Sequence, residues 1–310
     1  MSKRKSPDET VWKAATLAAA AGQRKQMQIG RLARIGLNKD EKPDVGFMAR
    51  MLVICTLPHT DRELGVNEII ERTNGDYTLY VQPGPKRGLP YGMFPRLIMA
   101  WMTQEVQRTR KRELVLGRSL SAFMHEIGSE ASWGKKGTAT TMRNQMERLF
   151  SSRVWLERHT DNSDTVSAIS VADDWQLWWQ PSKADQGDLF ESTVVLGEKL
   201  FEDMLRHPVP FDRRVARAVG HSPLAFDLYI WLTWRISYLK EPVAISWRQL
   251  AGQLGADYAN PDEFARKARQ HLQTIALAWP ELHFETPRGR LFLYPSSPHV
   301  PKLQAQSGNA

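Results

Sequence analysis

WMTQEVQRTRKRELVLGRSL (Trp101–Leu120) and WLTWRISYLKEPVAISWRQL (Trp231–Leu250) carry the same rhythm. Trp101 matches Trp231, Thr103 matches Thr233, Arg118 matches Arg248 and Leu120 matches Leu250, each pair 130 residues apart. Met102/Leu232, Val106/Ile236, Arg110/Lys240 and Val115/Ile245 agree in character. Four identities in twenty positions carry little weight alone, so the flanks decide whether a unit is duplicated.

Before Trp101, apolar residues at Leu97, Ile98, Trp101, Met102 and Val106 form one helical stripe. ELVLG then reads as a short strand, SLSAFMHEIG as a short helix with Ser119 at its N-cap, and GSEASWGKKG as a loop. TATTMRNQMERLF sets Met142, Met146, Leu149 and Phe150 on one helix face. RVWLER and TVSAISV, around HTDNSD, predict a β-hairpin. The second half repeats that order. SPLAFDLYIWLTWRISYL is a helix, VAIS a strand and WRQLAGQLG a short helix. NPDEFARKARQHLQTIAL is a helix with Asn260 as N-cap, Pro261 at N1 and Glu263 at N3. ELHFET and RLFLY flank a turn at Pro287, Arg288 and Gly289. Met146/Leu272, Leu149/Ile275 and Leu156/Leu282 are 126 residues apart, so a loop four residues longer in the first copy reconciles the two offsets. The flanks do repeat.

Helix, strand, helix, helix, hairpin is the winged-helix plan, an elaborated helix-turn-helix. The fold expected is α+β, mostly helical, with tandem winged-helix domains. Residues 1–45 read as a basic, partly helical N-terminal arm and 46–88 as an N-terminal extension and linker. Residues 89–180 form the first winged helix, 181–222 a connecting segment, 223–296 the second winged helix, and 297–310 a flexible tail. Trp101 and Trp231 anchor each first helix in the core, with Leu120 and Leu250 facing them.

The chain has 310 residues, 42% of them hydrophobic, 25% charged, and a formal net charge of +8. That length supports two domains, and the charge favours a polyanionic partner. Its one cysteine, Cys55, lies in the apolar run MLVICTL, so no internal disulfide forms and a buried, inert thiol is expected. The single cysteine and the lack of a secretory signal or a ~20-residue apolar run point to the cytoplasm, with no membrane partner.

Catalytic motifs fail on spacing. Between Gly128 and Gly134 stand five residues where a phosphate loop has four, and Lys135 is followed by Lys136. No HExxH, His-x-His or close histidine pair provides a metal site, and Ser119 in GRSLS lacks the second glycine of a nucleophile elbow. Asp173 and Asp174, before WQLWW, read as helix caps. The expectation is a protein that is not an enzyme, with no cofactor and no metal.

Duplex DNA offers phosphates to Lys and Arg, and base edges to Arg, Asn and Gln. In the first copy the face opposite the Met142 stripe shows Thr140, Asn144, Glu147 and Arg148, with Thr141 and Gln145 at its margins and Lys135 and Lys136 in the loop before it. In the second, Phe264, Ala268, Leu272 and Ile275 turn inward. Arg266, Lys267, Arg269, Gln270 and Gln273 turn outward, and Arg288 and Arg290 crown the hairpin. Any surface helix has a polar outer face. Two such helices in duplicated units of a basic chain make the DNA-binding reading the better one.

LPYGMFPRLIMAWMTQEVQRTRKRELVLGRSLSAFMHEIG, RNQMERLF, ESTVVLGEKLFEDMLRHPVPFD, SPLAFDLYIWLTWR and SWRQLAGQLG resemble plasmid-encoded RepA replication initiators, from about Leu89 to Pro295. The resemblance implies binding to repeated double-stranded DNA sites at a plasmid origin, recruitment of host replication proteins, and homodimers that repress the protein's own gene. It gives no residue that tells which winged unit dimerises. A dimeric transcriptional repressor and a protein-interaction scaffold that has lost DNA contact stay open beside it.

Overall fold

The computed structural model describes residues 7–19, 21–38, 40–62, 69–160, 162–179, 190–220, 222–255, 258 and 260–301. The chain begins with α1 (Pro7–Ala19), α2 (Gln23–Leu37), β1 (Val45–Ala49), α3 (Arg50–Ile54), β2 (Ile70–Asn74) and β3 (Tyr77–Gln82). The first copy follows as α4 (Met93–Thr109), β4 (Glu113–Gly117), α5 (Leu120–Glu126), α6 (Thr138–Phe150), β5 (Arg153–Thr160) and β6 (Ser163–Ser170). Then come β7 (Ala172–Gln176), β8 (Ser192–Leu196), α7 (Glu198–Arg206), β9 (Pro208–Asp212) and α8 (Arg213–Ala218). The second copy is α9 (Pro223–Tyr238), β10 (Val243–Ser246), α10 (Trp247–Gln253), α11 (Pro261–Ala278), β11 (Phe284–Glu285) and β12 (Arg290–Leu293). The protein is therefore mixed α/β, and the element order expected of the two copies is present in each.

Two compact units result. A terminal unit holds Met1–Gly46, Val209–Ala251 and Tyr258–Ala310; a central unit holds Phe47–Pro208 and Gly252–Asp257. The division sets residues 1–46 in the unit of the second copy, where the sequence reading set 1–45 apart as an arm. The cause is a stripe at helical spacing on α2: Ile29, Leu32, Ala33 and Gly36 are all buried. α2 packs against α11 and α8, and α1 packs against α2 and α11. A side chain at Gly36 would meet the backbone carbonyl of Leu277, so only glycine lets these helices approach so closely. Gln28 donates to the Val219 carbonyl at 2.7 Å, and Arg214 pairs with Glu41 at 2.9 Å.

In the second copy Ser222 caps α9 by accepting from the Ala225 N–H. Trp231 and Leu250 are buried as expected. Its three strands are antiparallel in the order β10-β12-β11, with Ser246 opposite Arg290 and Phe284 opposite Leu293. Phe264, Ala268, Leu272 and Ile275 of α11 are fully buried. Burying a large apolar side chain contributes roughly 1.5–3 kcal/mol, so this stripe holds α11 in place. The chain after β12 stays attached. Tyr229 Oη donates to His299 Nδ1 at 2.8 Å and accepts from the Asp212 N–H, while His299 Nε2 donates to the Ala278 carbonyl at 3.2 Å. Residues 302–310 of the expected tail lie outside the described residues.

The first copy departs in its sheets. β4 pairs with β8, which also pairs with β7, while the β5–β6 hairpin joins β3 and β2 in a four-stranded sheet ordered β2-β3-β5-β6. Every buried strand edge needs a partner. Here the edges of β4 and β5 are satisfied by strands far away in sequence rather than by each other. Asp173 and Asp174 cap no helix: they lie in β7, and Asp173 pairs with Arg112 at 3.1 Å. Trp101 and Leu120 are buried, Trp101 stacks edge-on to Phe123 at 5.0 Å, and Ser119 caps α5 by accepting from the Ala122 N–H. Cys55 is fully buried, and burial pushes its thiol up to about 12. Of the expected connecting segment, residues 181–189 and His221 lie outside the described residues, as does residue 180 before it.

Candidate nucleic-acid interface

The terminal unit presents the more open of the two candidate surfaces. Asn260 accepts from the Asp262 N–H and starts α11, whose first turn carries Pro261, Asp262 and Glu263. With the Phe264 stripe inward, Arg266 and Gln273 are exposed while Lys267, Arg269 and Gln270 are half-buried. Lys267 pairs with Glu263 at 3.2 Å and lies 4.8 Å above the Tyr258 ring. The Arg269 guanidinium lies 5.0 Å above the Trp247 ring. That stacking fixes its plane yet leaves donors at its rim for a base edge or phosphate.

The hairpin tip completes this surface. Arg288 and Arg290 are exposed, flanking Gly289 at φ 85°. The Trp247 N–H donates to the Gly289 carbonyl at 3.2 Å, which fastens the tip to the start of α10. Ser246 and Gln249 close a capping box on α10: Gln249 Oε1 accepts from the Ser246 N–H at 3.1 Å, and Ser246 Oγ accepts from the Gln249 N–H at 3.2 Å. Arg248 follows Trp247 and is exposed. The sequence reading gave it no role, although its register with Arg118 was in the opening repeat. Among the described residues, Arg248, Arg266, Arg288 and Arg290 are exposed and have no ion-pair partner.

The first copy is more closed. Lys135 and Lys136 are exposed in the loop before α6, which is pinned by Thr138 Oγ1 donating to the Glu130 carbonyl at 2.8 Å. Thr140 Oγ1 donates to the Gly134 carbonyl at 2.8 Å, and Thr141 Oγ1 to the Gly137 carbonyl at 3.1 Å, so each hydroxyl can still accept but not donate outward. Asn144 is exposed, with its Oδ1 accepting from Arg148 Nε at 3.1 Å. Beyond Asn144, α6 is covered. Arg148 pairs with Asp61 at 2.8 Å, donates to the Leu89 carbonyl at 3.1 Å and lies 5.2 Å above the Tyr91 ring. Its side chain is only 16% exposed. Glu147 binds Arg87 at 2.7 Å and Arg143 at 3.3 Å. Gln145, expected at the margin of the outward face, is buried and accepts the Tyr91 N–H at 2.8 Å. The segment around Arg87–Tyr91 thus occupies the space that the helical wheel left to solvent.

Among the described residues no group of three His, Cys, Asp or Glu side chains is placed to hold a metal ion. No helix among them is long and apolar enough to cross a membrane.

A family model described as plasmid-encoded RepA protein matches residues 89–249, just over half of the chain. The chain belongs to the plasmid-encoded RepA protein family. The RepA match runs from the start of the first copy into α10, so α11 and the Arg288–Arg290 tip lie beyond it. Among solved structures, a selenomethionine crystal structure of domains 2 and 3 of RctB has a similar fold. Its TM-score is 0.51 at 12% identity, covering 79% of this RepA-family chain and 95% of that one. A second crystal structure of RctB domains 2–3 gives a TM-score of 0.48 at 12% identity, over 78% of this chain and 94% of that one. At such identity the likeness concerns fold alone. No curated protein matches the sequence.

Proposed function

We propose that this RepA-family chain is a sequence-specific double-stranded DNA-binding protein that initiates plasmid replication by binding repeated sites at the origin. Each of its two winged helices carries a binding surface of its own, and no catalytic step or cofactor enters. The single observation that supports this reading best is in the second copy. There α11, a β10-β12-β11 sheet and a tip whose Arg288 and Arg290 have no ion-pair partner among the described residues are in keeping with the helix and wing of a DNA-binding unit. α11 enters the major groove with Arg266, Arg269, Gln270 and Gln273 toward base edges, and Lys267 toward backbone. Arg248, Arg288 and Arg290 take phosphates alongside. In the first copy Lys135 and Lys136 take phosphates while Thr140, Thr141 and Asn144 offer the exposed start of α6. Arg148 serves there as the brace that orients Asn144. Homodimers and host replication proteins are the expected partners, as family membership supports.

Footprinting of the purified chain on the plasmid that encodes it tests the reading. Protection of direct repeats beside an AT-rich tract is the expected result. A single inverted repeat over a promoter would identify a repressor, and absence of any protection a scaffold.

A further inference from the structure

The terminal unit carries a second surface, unrelated to the basic tip. α1 and α2 leave an open cleft of about 540 Å³ between them, lined by Val11 and Ala14 on one side and Gly30, Ala33, Arg34, Leu37 and Asn38 on the other. Its apolar lining is open to water: Val11 is 52% exposed and Leu37 38%. Isolated exposed apolar residues mean little, but several around one concavity mark a binding surface.

Gly30 sharpens the point. Glycine inside a helix weakens it, so its presence calls for a packing reason. Gly36 has one within the unit, the Leu277 carbonyl against which a side chain would press. Among the described residues, a side chain at Gly30 would meet nothing within 4 Å, and Gly30 lines the cleft.

We propose that this cleft docks one amphipathic helix from a partner protein, with an apolar seam and acidic flanks. The shape supports a helix. Positions 30, 33, 34 and 37 of α2 fall on one face at the spacing that a helix laid into a groove engages. The charge supports acidic flanks: Arg34 lines the cleft, Arg24, Lys25 and Arg31 stand exposed elsewhere on α2, which contains no aspartate or glutamate, and on α1 Glu9 is neutralised by Lys13. Duplex DNA has no apolar ridge to fill the concavity. The proposal does not depend on the DNA-binding reading.

The test uses the full chain and fluorescence anisotropy with labelled helical peptides. One set has Leu, Ile or Phe at heptad spacing between glutamates; a matched set has lysines in their place. Saturable binding of a glutamate peptide, and none of its lysine counterpart, is expected. Gly30→Trp should fill the cleft, weaken that binding at least about tenfold, and leave DNA affinity unchanged. Because tryptophan suits a helix better than glycine, the variant should melt no lower than the parent, so loss of binding cannot be ascribed to unfolding. Arg34→Glu should weaken the glutamate peptides and admit the lysine ones. The proposal is overturned if no glutamate peptide saturates, or if Gly30→Trp leaves peptide affinity intact. It is equally overturned if that variant instead abolishes self-association, DNA binding or adsorption to anionic lipid vesicles.

Discussion

Removing both arginines of the wing, Arg288→Ala with Arg290→Ala, should change the salt dependence of DNA binding by a predictable amount. Both side chains are exposed and flank a glycine in a left-handed turn, with no acidic partner among the described residues. Each phosphate neutralised on B-form DNA contributes about −0.9 to the slope of log affinity against log salt. If both arginines take phosphates, the double variant's slope should be shallower than the parent's by about 1.8, whatever the total for the chain. Over a fourfold rise in salt, from 50 to 200 mM, its affinity should therefore fall about twelvefold less than the parent's. The base preference should not move, because no base edge is involved. Anisotropy titrations on one origin duplex at four salt concentrations give the slope directly, and circular dichroism controls for the fold. An unchanged slope in a folded double variant would refute the placement of the wing on the backbone.

Three further outcomes follow from particular contacts. Arg148→Ala should lower stability by about 1–3 kcal/mol, and a double-mutant cycle with Asp61→Asn should show coupling. Relaxed base preference without loss of stability would make Arg148 a base reader instead. Burial holds the His299 imidazole below its ordinary value of 6.5, against raising contributions from Asp212, the Ala278 carbonyl and Glu281 and with Arg214 adding to the lowering. A depressed folded value means its stabilisation is whole above pH 6.5 and is lost as pH falls below it. Melting temperatures from pH 8 to 5 should drop more steeply for the parent than for His299→Gln; equal slopes would contradict the neutral, doubly bonded ring. Cys55, with its thiol pushed up to about 12, should react with a disulfide reagent at pH 8 about a thousandfold more slowly than a free thiol until the chain unfolds. Prompt labelling of the native protein would count against its burial.

What the sequence made legible was local. The Met142 and Phe264 stripes, the Ser119 and Asn260 caps and the hairpin around Gly289 all depend on neighbours within a few residues, and each stands in the structure. Strand partners were not legible, because β4 finds β8 across about eighty residues and no periodicity encodes that choice. Periodicity alone also misled. A helical wheel puts Arg148 and Gln145 on or beside an outward face, yet it knows nothing of the Arg87–Tyr91 segment that covers them. The Ile29–Gly36 stripe was written plainly enough in α2, but the surrounding Ala, Gln, Arg and Lys residues made the region look like solvated arm.

The hydrogen bond between the Trp247 amide and Gly289 has a kinetic consequence. A tip free to swing would have to be immobilised at each encounter with a duplex, and that ordering would be subtracted from every binding event. Here the loop is already moored to the start of α10, whose own first turn is closed by Ser246 and Gln249. The arginines at the tip and the side chains of α11 therefore arrive together. Association should resemble a key entering a lock, with one fast phase and little dependence on the flexibility of the protein.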